Sequence, residues 1–210
     1  MSKIFLSTII ILHFLFSIGQ PFEGSISFIK KTVTDTTFYT YNIKDELVKV
    51  DEKDINMNII NSLIVNLQEN TMIAISPLRQ MYMNLPVQIY IKNNDTSFVI
   101  DKTKETKTIK EFECELWIVS NKSQDTKIEY WVVKDNFAFF EKFLKLANRS
   151  EKSSIYFLNI PEKSGYFPML SIEKTLSGNE KLRLEVTEIK KGVVDEKIFE
   201  LPYNYLQFNH

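Results

Sequence analysis

The chain is poor in the residues that carry most enzymatic chemistry. Of 210 residues, two are histidine, one is cysteine and five are glycine. His13 sits in the first apolar run and His210 is the last residue, so the stretch between them has no histidine. That excludes Ser-His and Cys-His nucleophile pairs and histidine-ligated zinc from this stretch. Cys114 alone can neither close an internal disulfide nor hold a metal. It alternates with apolar residues over 112–119 and reads as inert core packing. There is no Walker-type lysine loop and no dinucleotide glycine fingerprint. Nor is charge of either sign in excess: 26 Lys and Arg stand against 27 Asp and Glu. A nucleic-acid binder needs a basic surplus to neutralise phosphates. No cofactor, no metal and no nucleic-acid partner are therefore expected.

What is present is apolar and aromatic, at 44% and 13% of the residues. This is a chain that packs a core without metal or disulfide staples. The N-terminus carries Lys3 and then a nearly unbroken apolar run from Ile4 to Ile18. The run matches the ~7–15-residue apolar core of a secretory signal and falls short of the ~20 residues of a membrane-spanning helix. Ser17 and Gly19 are small enough for a signal peptidase, and Pro21 disfavours a cut after Gln20, so cleavage is expected between Gly19 and Gln20. A retained anchor is the alternative. With no cysteine near the cut, a bacterial lipoprotein anchor is excluded. No later run approaches membrane-spanning length, and no Gly-, Ser- or Pro-rich linker divides residues 20–210, which read as one exported domain in the periplasm or outside the cell.

Most of that domain reads as short strands bounded by polar turns. They fall at 22–33, 38–43, 47–50, 62–67, 71–75 and 81–83, with weaker segments at 98–100 and 106–109. Residues 68–70 turn one hairpin, and Pro77 and Pro86 end strands because proline lacks the ladder donor. Segments 112–119 and 128–133 form another hairpin. If its loop centres near Gln124, Trp117 faces Trp131 across the pair. A further hairpin turns at residues 177–179, with Leu170 and Ile172 meeting Val186 and Leu184. Its Leu182, Leu184 and Val186 alternate with Arg183, Glu185 and Thr187, the pattern of an antiparallel sheet with one buried face.

One helix stands out, near 136–148. Asp135 or Asn136 can cap its start. Phe137, Phe139, Phe140, Phe143, Leu144, Leu146 and Ala147 cover half of the cylinder at ~100° per residue. Glu141 and Lys145 have the spacing of an i,i+4 ion pair. A helix with four phenylalanines on one face cannot bury them alone and must lie on a sheet.

The acidic run Asp45, Glu46, Asp51, Glu52 and Asp54 is interleaved with lysines and reads as a solvated surface, without the glycine and spacing of a calcium loop. Triplets at Asn94, Asn121 and Asn148 match the N-glycosylation pattern but carry no meaning in a bacterial chain. Met57, Met72, Met81, Met83 and Met169 either fill the core or line an adaptable pocket.

Several weak motifs occur in a particular order. They are Phe22-Glu23-Gly24-Ser25-Ile26, Tyr39-Thr40-Tyr41-Asn42-Ile43-Lys44, Met81-Tyr82-Met83-Asn84-Leu85-Pro86, Phe112-Glu113-Cys114-Glu115-Leu116-Trp117 and Glu129-Tyr130-Trp131-Val132-Val133. In this order they resemble the secreted Bacteroidetes family called domain of unknown function 4412. The resemblance implies a fold like the periplasmic lipoprotein carriers (LolA/LolB-like): a mainly β half-barrel, its curved antiparallel sheet wrapping an apolar cavity, with helix 136–148 on the concave face. It transfers no activity and no functional residues.

Two functions are expected to compete. In the first, the half-barrel binds a lipid or other apolar ligand, with Phe139, Phe140 and Phe143 as lid and Trp117, Trp131, Met81 and Met83 as walls. In the second, an envelope protein partner binds an exposed apolar patch or strand edge, with no small ligand. Only a paired-carboxylate hydrolase stays open on composition, and the chain is read as non-catalytic.

Overall fold

The computed structural model describes residues 21–88, 90–91, 97–147 and 151–208. The segment read as an export signal, the sequons at Asn94 and Asn148 and both histidines lie outside the described residues. Twelve strands form one curved, unclosed sheet. They are β1 (Gly24–Thr32), β2 (Thr36–Lys44), β3 (Leu47–Lys53), β4 (Ile59–Asn66), β5 (Thr71–Ser76), β6 (Met81–Leu85), β7 (Phe98–Ile109), β8 (Phe112–Asn121), β9 (Thr126–Lys134), β10 (Tyr166–Lys174), β11 (Glu180–Lys191) and β12 (Leu206–Gln207). Two helices, α1 (Ala138–Ala147) and α2 (Lys152–Asn159), pack against it.

The order across the sheet is β12-β6-β5-β4-β3-β2-β1-β11-β10-β9-β8-β7. Two meanders, β1 to β6 and β7 to β11, are joined where β1 runs antiparallel to β11, from Gly24 opposite Lys191 to Thr32 opposite Leu182. Every neighbouring pair is antiparallel except β12 with β6. Gly24 stands at one end of the seam with φ +146°, and a Cβ there would collide with the Lys190 carbonyl oxygen. Elsewhere the scarcity of glycine puts other residues into left-handed backbone: Asp45 (φ 51°) and Lys110 (φ 57°) make the two-residue turns β2–β3 and β7–β8.

The strands lie where the alternation puts them, and the hairpin at residues 68–70 forms as read, its turn held by Asn66 Oδ1 accepting from the amides of Gln68 and Glu69. The two weaker segments around 98–109 are one strand with an irregularity between Lys102 and Thr106. Two registers differ from expectation. The β8–β9 loop has four residues, so Trp117 faces Tyr130, and Trp131 faces Leu116. In β10–β11, Leu170 faces Glu185, and Ile172 faces Arg183. Both differences are one-residue slips, and one residue moves a side chain to the other face. The four-residue loop and the bulge beside Lys174 set the true registers.

Helix α1 buries Phe139, Phe140, Phe143 and Leu144 on the concave face, and Glu141 pairs with Lys145 at 2.9 Å. Its expected cap lies one step away. Asp135 accepts from the amide of Asn136 at 2.8 Å and orders the turn ahead of the helix. Helix α2 has no counterpart in the sequence pattern. Ser153, Ser154, Ile155 and Tyr156 are weak helix formers, and no side chain caps its start. Packing holds it: Tyr156, Phe157 and Leu158 are buried, and the Tyr130 hydroxyl donates to the Ser153 carbonyl at 2.6 Å. A phenylalanine cluster ties helices to sheet, with Phe140 and Phe167 ring centres 4.6 Å apart and Phe22 and Phe137 5.0 Å apart. Such pairs add about 0.5–1.5 kcal/mol each beyond burial.

After β11 the chain turns back past β3. Lys44 donates to the Val194 carbonyl, a 3₁₀ turn at Glu196–Phe199 packs on β3, and β12 then adds to the β6 edge. The acidic run is only partly the solvated surface expected. Asp51 is 6% exposed and accepts from Ser62 Oγ at 2.6 Å. Glu52 points to the concave side.

Candidate functional site: an open concave groove

Side chains alternate across a sheet, and on the concave side Tyr41, Val50, Leu63, Ala74 and Met83 form one cross-strand row from β2 to β6. Helix α1 covers one end of this row, with the Phe143 ring 5.2 Å from that of Tyr41. Beyond it the row is open. Val50, Leu63, Ala74, Met83 and Met81 line a groove of about 480 Å³ to which no helical residue contributes. A cleft of about 210 Å³ shares Tyr39, Val50 and Leu63 with the groove and runs under Phe143 and Ala147. A hollow of about 50 Å³ shares Phe28, Tyr41 and Leu184 with the cleft and ends at Phe140, Leu144 and Phe157. The three spaces share walls in succession along the concave side, the widest at β4–β6 and the narrowest beneath the helices.

Polar groups gather at one end. Glu52 accepts from Asn61 Nδ2 at 2.9 Å and from the Tyr39 hydroxyl at 3.3 Å. Burial, and then the nearby Glu52 charge, push the Tyr39 phenol well above its ordinary pKa. Burial does the same to Tyr41. Lys30 and Glu151 form an ion pair at the cleft. Arg79, on the β5–β6 turn, lines the groove mouth with Phe208.

The residues expected to form the site are only partly brought together. Met81 and Met83 line the groove, Phe143 the cleft and Phe140 the hollow. Phe139 packs among Phe22, Phe137 and Phe167 and lines none of the three spaces. Trp117 is 1% exposed against the Tyr166 ring, 4.5 Å away. Trp131 lies on the convex face, since its neighbour Tyr130 points inward to Phe157. The groove's principal walls, Val50, Leu63, Ala74 and Tyr39, are not among the residues expected from sequence. Their only sequence signal is their place in short alternating strands, shared by every core residue.

Other candidate chemistry resolves into structure. Cys114 is buried and free, and burial raises its thiol pKa. Asn121 is 0% exposed; its amide donates to Ser97 Oγ and its oxygen accepts from Ser123 and Gln124. No glycan fits there. Among the described residues no three His, Cys, Asp or Glu side chains converge as a metal site, and no helix is long and apolar enough to cross a membrane.

A family model described as Domain of unknown function (DUF4412) matches residues 22–205. No curated protein matches by sequence. Among solved structures, an uncharacterized conserved protein from Thermus thermophilus is similar at 10% identity and a TM-score of 0.53, covering 89% of this chain and 90% of that one. The Pseudomonas aeruginosa MucA/MucB complex is similar at 8% identity and a TM-score of 0.54, covering 86% of this chain and 56% of the other. A structure of MucB alone gives 8%, a TM-score of 0.50, and coverage of 87% and 58%. This chain thus spans little more than half of the matched MucA/MucB and MucB chains. At such identities the likeness is one of fold.

Proposed function

This chain belongs to the DUF4412 family, and from that premise we propose that it is an exported, non-catalytic envelope protein that holds a lipid or other apolar chain in its open groove. The observation that supports this most is the part of the row at Ala74 and Met83, which no helix covers, continuing to Val50 and Leu63 where the groove meets the cleft under α1. A sheet normally buries such a row, yet here about 480 Å³ stands open above it. That lies within the ~300–1,000 Å³ of small-molecule sites. Met81 and Met83 suit a ligand of variable shape, because the unbranched thioether repacks easily. The narrowing toward Phe140, Leu144 and Phe157 gives a chain terminus a largely apolar place to stop.

The test is native mass spectrometry of protein purified without detergent from its own envelope, followed by titration with a fluorescent fatty acid. Retained lipid mass or saturable probe binding is expected. Protein that carries no adduct and binds no probe refutes the reading. Export is tested on the same sample: residues 1–19 act as a cleaved signal if the envelope form begins at Gln20.

One observation favours a second reading. MucB was solved in complex with MucA, so this scaffold also serves a protein that holds a protein partner. In-cell crosslinking that captures one stoichiometric partner, with no lipid in the groove, would favour it.

A further inference from the structure

Two charged side chains line the groove, Glu52 and Arg79, one of each sign. They sit at the same end. Glu52 faces Asn61 across β3–β4, and the Ser76–Met81 pair of β5–β6 opens the turn that carries Arg79. Neither has an ion-pair partner among the described residues, and they do not pair with each other. The neighbouring cleft differs, because its Lys30 and Glu151 already neutralise one another. Glu52 is also held in place, with Asn61 and Tyr39 each donating to one of its two oxygens. Two to three strand spacings of ~4.8 Å separate its strand from the turn bearing Arg79, a span the flexible arginine side chain can shorten.

We infer that the groove takes a single-chain amphiphile with a zwitterionic head, a phosphoethanolamine lipid, whose phosphate meets Arg79 and whose ammonium meets Glu52. This rests on the groove reading above and adds the ligand's head group and its direction. The acyl chain runs from the charged end along Met81, Ala74 and Leu63 toward the cleft. Charge complementarity selects the head. An anionic head satisfies Arg79 but leaves Glu52 facing a like charge. A neutral head leaves both without a counter-charge: Arg79, exposed on its turn, keeps only water, and the half-buried Glu52 keeps only its Asn61 and Tyr39 donors. The guanidinium is suited to the phosphate because it can donate two parallel hydrogen bonds.

The experiment measures affinity of the full chain for three probes below their micelle concentrations: 1-oleoyl lysophosphatidylethanolamine, 1-oleoyl lysophosphatidylglycerol and monoolein. The ethanolamine lipid should bind about tenfold or more tightly than either other probe, the margin of a charge-assisted contact. Glu52→Gln, which keeps the oxygen that Asn61 donates to, should erase the gap between the two phospholipids. Arg79→Gln should weaken both and leave monoolein unchanged. Equal binding of all three probes, or tighter binding of the glycerol lipid, overturns the head-group assignment while the groove reading stands. No binding of any probe overturns both. The three-probe comparison on the unmodified protein decides the matter even if a variant fails to fold.

Discussion

Trp117 and Trp131 lie back to back on neighbouring strands, one on each face of the sheet. Lys102 covers the Trp117 ring at 4.4 Å, and Lys107 covers the Trp131 ring at 3.9 Å. The faces are not equivalent. Trp117 is among the most deeply buried side chains, whereas Trp131 is only partly buried. Trp117→Ala should therefore cost about 3–5 kcal/mol and Trp131→Ala about half as much. Urea unfolding midpoints of the two variants check this; equal losses would contradict the assigned register.

Ala74 sits in the middle of the open row, between Leu63 and Met83. Ala74→Trp should fill the groove without burying new polar groups. A loss of fatty-acid affinity of tenfold or more is expected, with a change in stability of about 1 kcal/mol or less, as for other changes at an open surface. Unchanged affinity would place the ligand elsewhere.

Gly24 anchors the β1–β11 seam where any side chain meets the Lys190 carbonyl. Gly24→Ala combines an unfavourable φ with that collision and should destabilise by about 2 kcal/mol or more. Thermal unfolding of the variant measures it, and a neutral result would mean the seam yields easily.

Acid should weaken the protein through specific pairs. Burial works against the Glu129 charge, but hydrogen bonds from Lys174 at 2.7 Å and Lys127 at 3.0 Å prevail and lower its pKa below 4.5. Lys191 lowers Asp135 below 3.8. A carboxyl whose folded pKa is depressed adds stability that is complete above the unfolded value and lost as pH falls through the folded one. Stability should thus decline below about pH 4.5. In Lys174→Met this slope should be shallower. At the alkaline end the sign reverses. Burial raises Tyr39, Tyr41 and Tyr130 above 10.0, so their contribution is complete below pH 10 and fades above it. Unfolding midpoints from pH 3 to 11 test both slopes.

Much of this fold is legible in the sequence, and for a physical reason. Strand positions follow from a two-residue period, and α1 from a 3.6-residue one, so local spacing suffices. What local spacing leaves undetermined is how strands are matched to one another. A loop centred on Gln124 sets Trp117 opposite Trp131, and the true loop, residues 122–125, shifts that match by one residue. Helix α2 leaves no local signal because Ser153, Ser154 and Ile155 have little helical preference, and its stability comes from Tyr130 and the Phe140–Phe157 contact. The groove walls are hidden for a similar reason. Ala74 differs from a buried residue only in that no helix lies above it, and Val50 and Leu63 only in that α1 covers them in part, which depends on where α1 stops.

The seam between β1 and β11 also governs the timing of folding. The first long strand finds its second neighbour only when residues 180–191 have been made, so the central ladder closes late, across almost the full length of the polypeptide. Pairings between such distant segments form slowly, on a scale of ~milliseconds to seconds. The hairpins of β1–β6 need only near neighbours, so what waits for the last strands is the step that joins two half-sheets into one bowl.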